Sequence, residues 1–134
     1  MERARCGPDV GEATLAPVLQ ERANIDSVSP LYADVPGGKS GGGTRLDGAV
    51  VRIRPIPGMT AEWLDRALEC HSARRVLGRI PADVLPNDPF WLPGGRTVDI
   101  DAESARDGFQ VAVRGSTVDD NKEILSRANA FAGH

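Results

Sequence analysis

Pro57-Gly-Met-Thr-Ala-Glu-Trp-Leu-Asp-Arg-Ala-Leu-Glu-Cys-His-Ser-Ala-Arg-Arg-Val-Leu-Gly78 is the best-signalled helix of the chain. Pro57-Gly58 interrupts whatever precedes it. Thr60 is suited to accept backbone N–H bonds as N-cap, and Glu62 sets a carboxylate in the first turn, where the helix dipole favours it. Gly78 is a natural stop, preceded by Arg74 and Arg75 in the last turn. At about 100° per residue, Leu64, Ala67, Leu68 and His71 share roughly a quarter of the circumference, with Trp63 and Cys70 on one flank. Asp65, Arg66, Glu69 and Ser72 occupy the opposite side. His71 therefore points close to the core stripe, and Cys70 is turned about 100° away from it.

Strands flank this helix. Before it, Ala49, Val51 and Ile53 alternate with Val50, Arg52 and Arg54 until Pro55 ends the run. After it, residues 79–95 hold many prolines and glycines around Leu85, Phe90, Trp91 and Leu92, a long loop tethered by apolar anchors. Val98 and Ile100 then alternate with aspartates, and Phe109, Val111 and Val113 alternate with polar positions. Asp107-Gly108 between these two runs predicts a hairpin. Ser116 or Thr117, with Asp119 or Asp120 three residues on, caps a last helix whose stripe is Ile124, Leu125, Ala128 and Phe131, closed by Gly133. The order strand-helix-strand-strand-helix predicts an α+β fold: a small open sandwich, two helices on one face of a three- to four-stranded sheet. The segment 31–35 is the candidate fourth strand.

Residues 1–47 read as an N-terminal arm and 48–134 as the α+β domain. Within the arm, a short helix is expected over residues 11–24, with Leu15, Val18 and Leu19 as its apolar face and Pro17 limiting its start. Residues 25–35, with Pro30 among Val28, Leu31, Tyr32 and Val35, suit an extended segment or an edge strand. Gly37–Gly43 reads as a flexible linker.

The 134 residues suffice for one core. Aromatic residues are only 4%, so that core is mostly aliphatic, and a net charge of -3 argues against nucleic acid as the main partner. No apolar run approaches the roughly 18 residues of a membrane span. Residues 1–20 lack the apolar core of a signal peptide, which fits either a cytosolic protein or a mature exported chain. Cys6 and Cys70 permit one disulfide and demand none.

Three groups of residues carry candidate chemistry. Ala33-Asp-Val-Pro-Gly-Gly-Lys-Ser40 fits a relaxed phosphate-loop pattern, but Gly41-Gly-Gly-Thr44 follows where a helix must open, so the linker reading outweighs a nucleotide site. Cys70-His71 joins a thiolate and an imidazole, a pair suited to copper or zinc. Neighbours on a helix diverge, so a metal there needs help from Cys6, Asp88, His134 or a partner chain. The competing reading makes Cys70 a packed small side chain and His71 a hydrogen-bonded residue at the core edge. Arg66, Arg74 and Arg75 with Arg52 and Arg54 form either an anion site or, more commonly, a solvated face. Phe90 and Trp91 read as a plug over the sheet edge rather than an exposed recognition loop.

Gly58-Met-Thr-Ala-Glu-Trp-Leu, then Cys70-His71-Ser-Ala-Arg, then Gly78, resembles a group of uncharacterised small exported bacterial proteins that share this helix. The resemblance runs from about residue 44 to residue 133 and takes in Asp107-Gly108-Phe109 and the closing helix. It implies a periplasmic or secreted location, with the cytoplasm as the alternative, and it draws attention to Cys70 and His71. Other members of the group carry a cysteine before a proline where this chain has Asp88-Pro89, which implies an altered site here. The expectation is a non-enzymatic extracytoplasmic domain that binds copper or zinc through Cys70 and His71. The alternative is a structural or protein-interaction module without metal, as a monomer or homodimer, and an enzyme ranks third because no base and nucleophile set stands out.

Overall fold

Alternation marks the core face of residues 49–53 correctly: Ala49, Val51 and Ile53 are at most 1% exposed, although Val50, on the other face, is itself only 5% exposed. The computed structural model describes residues 12–38, 41–81 and 83–133. In chain order these form α1 (Ala16–Leu19), with 3-10 turns at Glu12–Leu15 and Arg22–Asn24 on either side, β1 (Ile25–Gly38), β2 (Gly41–Ile53), α2 (Ala61–Val76), β3 (Val98–Ala105), β4 (Gly108–Gly115) and α3 (Val118–Ala132). The sheet order is β1-β2-β4-β3 and every neighbouring pair is antiparallel. It follows that β2 and β3 run parallel on either side of β4, linked by α2. The fold is α+β, as the element order predicts.

One face of the sheet carries the core. Val51, Val111 and Val113 meet Leu64 and Leu68 of α2 and Ile124 and Ala128 of α3 in a single apolar cluster, all of them buried. Each large aliphatic side chain so buried contributes about 1.5–3 kcal/mol. Both long helices start where the sequence places them. Thr60 Oγ1 accepts the Trp63 N–H at 3.2 Å, and Thr117 Oγ1 accepts the Asp120 N–H at 3.1 Å. Such caps satisfy N–H groups that the helix leaves unbonded, worth about 1 kcal/mol each. Asn121 on α3 ties two strands together, accepting the Gly115 N–H at 2.6 Å and donating to Leu46 O at 3.0 Å.

From residue 25 on, the expected arm belongs to the sheet. Residues 25–38 are its edge strand, and the boundary expected after residue 47 falls inside β2. Gly37–Gly43 is no linker, because Gly38 pairs with Gly41 and Val35 with Gly43 across a hairpin. Lys39 and Ser40, which complete the phosphate-loop pattern, lie outside the described residues. Glycines offer no side-chain alternation, so only the strand opposite reveals them as strand. The hairpin runs on past the other strands, since β4 pairs only with Gly48–Ile53 of β2. The helix expected over residues 11–24 is cut to a four-residue α1 between 3-10 turns, yet Leu15, Val18 and Leu19 are buried as expected.

Two glycines are required by geometry. Asp47 is an extra residue between the pairs Leu31–Gly48 and Tyr32–Leu46. At this bulge Gly48 takes φ +148, and a Cβ there would lie 1.8 Å from Val113 O. Gly108 opens β4 at φ +130, and a Cβ would lie 2.0 Å from Ile53 O. The hairpin turn itself is Arg106-Asp107, one residue earlier than expected.

Both sheet edges are blunted. The register turns the nitrogen of Pro30 outward from β1, where its missing N–H leaves nothing to pair. On β3, the outward N–H of Ala102 is taken by Asp65 Oδ1 of α2 at 2.8 Å.

Candidate functional site

The stripe of α2 continues past its apolar residues. Leu64, Leu68, His71 and Arg75 follow one another at helical spacing, and all four are buried. Arg75, read from sequence as a solvated cation, is only 3% exposed. A guanidinium survives such burial only with its donors satisfied. Its counter-charge is Asp88, 13 residues on, whose side chain is 0% exposed.

Asp88 is the hub. Its Oδ2 accepts Arg75 Nε–H at 3.1 Å and lies 2.5 Å from Nε2 of His71. An ionised carboxylate can only accept, so Nε2 is the donor of this bond. The other oxygen, Oδ1, accepts the Phe90 N–H at 2.9 Å. Arg75 then reaches along the loop before Asp88, donating from Nη1 to Pro81 O at 3.2 Å and from Nη2 to Val84 O and Leu85 O. One buried arginine thus satisfies three carbonyls of a segment with no helix or strand of its own.

Two further arginines hold the same loop. Arg127 on α3 donates from Nη1 to Pro86 O at 3.2 Å, and its Nε pairs with Glu123 at 3.0 Å. Trp91 is half-buried beside two guanidiniums, with Arg75 Cζ 5.1 Å and Arg127 Cζ 5.8 Å from its ring centre. Phe90 is fully buried against Phe131, rings edge to face at 5.9 Å. Arg96 pairs with Asp120 at 3.1 Å and with Glu123 at 2.8 Å, closing the loop onto α3. The Arg96 hydrogen bond is the main cause holding the Glu123 carboxyl below the usual range, opposed by burial and aided by Arg127. The same partners push the Arg96 guanidinium still higher, chiefly through Glu123.

Cys70 is fully buried and disulfide-bonded. The other cysteine of the sequence, Cys6, and the terminal His134 lie outside the described residues. Of the groups named as helpers for Cys70-His71, Asp88 lies among the described residues, and it is brought against His71. The chemistry of the pair changes accordingly. A disulfide sulfur has no thiolate to offer a metal, and Nε2 donates its proton to Asp88. Among the described residues no three His, Cys, Asp or Glu side chains are grouped to hold a metal ion.

The arginines of the candidate anion site do not converge. Arg75 is internal, Arg52 donates to Ser29 Oγ at 3.0 Å, and Arg54 pairs with Asp26 at 3.2 Å. Arg66 and Arg74 are each engaged elsewhere. What sequence reasoning missed is Arg75 as a structural centre. Its spacing four residues after His71 was the available signal.

A comparison with protein-family models, with curated proteins and with solved structures finds no match for this chain.

Proposed function

We propose that this chain is a non-enzymatic extracytoplasmic interaction module in which Cys70 and His71 serve the structure. The observation that carries this reading is the burial of the pair: both side chains are 0% exposed, one in a disulfide and the other bonded to Asp88. Residues that must meet a substrate or an incoming ion are rarely sealed in this way. A disulfide in the core supports an oxidising compartment, the periplasm or the cell exterior. The surface left for a protein partner is the long hairpin, where Tyr32 is 58% and Val35 39% exposed.

The transition-metal reading, copper or zinc through Cys70 and His71, keeps one supporting observation, the carboxylate of Asp88 beside His71. It requires the disulfide to open and Nε2 to give up its proton. Elemental analysis after incubation with copper or zinc and removal of free metal separates the two readings, run on oxidised and reduced protein. The module retains no metal in either state. Near-stoichiometric metal in the reduced protein, lost in a folded His71→Ala variant, would transfer the function to metal binding.

A further inference from the structure

A cleft of ≈ 360 Å³ lies between α1, the end of α3 and the loop before Asp88. Its volume is in the range of sites for small organic ligands, about 300–1,000 Å³. Leu19, Leu85, Pro86, Ala130 and Phe131 supply its apolar part, Gln20 and Asn87 add polar groups, and the exposed Arg22 also lines it. Arg22 forms no ion pair with a described residue. A partly apolar recess whose rim carries a cation with no ion pair to a described residue is complementary to a small molecule with an apolar body and a single negative charge.

The wall of the cleft is held from behind. Leu85 is the one non-glycine among the described residues with positive φ, at 53°. A branched side chain adopts that conformation only where its surroundings impose it. Here the Leu85 carbonyl accepts from Asp88 N at 3.1 Å and from Arg75 Nη2 at 3.1 Å. Pro86 O is held by Arg127. The carboxylate of Asp88, also at the cleft, is turned inward to His71 and Arg75 and so presents no charge against an anion. The buried charges therefore fix the shape of a binding wall before any ligand arrives, which lowers the ordering cost of binding.

We propose that this cleft binds a small amphipathic carboxylate, its chain against Leu19, Leu85 and Phe131 and its carboxylate at Arg22. Neither Cys70 nor His71 lines the cleft, so the proposal stands apart from the question of metal.

The test is a titration of the disulfide-intact protein with octanoate, followed by amide chemical shifts, beside 1-octanol as the uncharged control. Saturable shifts are expected around Leu19, Leu85, Asn87 and Ala130, with octanol weaker by about tenfold or more, the worth of one charge-assisted hydrogen bond. Arg22→Gln, an exposed change that leaves the core intact, should bring octanoate down to the level of octanol. Ala130→Phe, which fills the cleft, should abolish both, with its amide spectrum confirming that it folds. Absence of saturable shifts at the cleft, equal binding of octanoate and octanol, or an Arg22→Gln variant that binds octanoate as the parent does would each overturn the proposal.

Discussion

Asp88 shows how much one side chain can organise. It accepts from His71, from Arg75 and from the Phe90 backbone, so its loss breaks three bonds at once and leaves the buried Arg75 charge with backbone carbonyls alone. Asp88→Ala should cost about 3–5 kcal/mol, the usual penalty for breaking a buried pair. Asp88→Asn should cost less, because its carbonyl oxygen can still accept one of these bonds. Urea midpoints at unchanged m-value would give both numbers, and an Asp88→Ala midpoint within error of the parent would contradict the hub role. The sequence placed His71 on the core stripe, but it left Arg75, one turn further on at helical spacing, as a solvated cation. Residue type argued for solvent, since an arginine is almost never buried without a partner, and the partner sits in a loop where spacing carries no information.

At the scale of elements, the caps and stripes of α2 and α3 were readable because their causes lie within one turn. Thr60 and Thr117 bond to amides three residues on, and Glu123 meets Arg127 at the i, i+4 spacing. The stronger determinant of Glu123 is Arg96, 27 residues away and invisible to helical spacing. A carboxyl held below its unfolded value stabilises the fold above that unfolded value, and the contribution disappears as pH falls through the folded one. Unfolding by urea over a descending pH series should show the parent losing stability through the acidic carboxylate range. Glu123→Gln should start less stable at neutral pH and lose less on acidification. An unchanged acid limb in that variant would assign the pH dependence to other carboxylates.

For the molecule as a whole, the sheet has no inviting edge: Pro30 blunts β1, and Asp65 takes the Ala102 N–H of β3. The disulfide of Cys70 is the other global constraint. Reduction, or Cys70→Ser, should lower stability by about 2–5 kcal/mol, read as a fall in the thermal midpoint with and without reductant. Identical midpoints in the two conditions would mean that the bond contributes little beyond packing.

The α+β order, the long helices, three of the four strands and the burial of His71 follow from signals contained in a single turn or strand, and for that reason the chain alone displays them. The glycine-rich hairpin, the interior position of Arg75 and the oxidised state of Cys70 were decided by tertiary structure. A glycine becomes strand only through the backbone opposite it, and a buried charge is tolerable only beside a counter-charge. A sulfur becomes inert only when its partner is brought within bonding distance. In each case the deciding group is remote in sequence, and folding supplies the proximity.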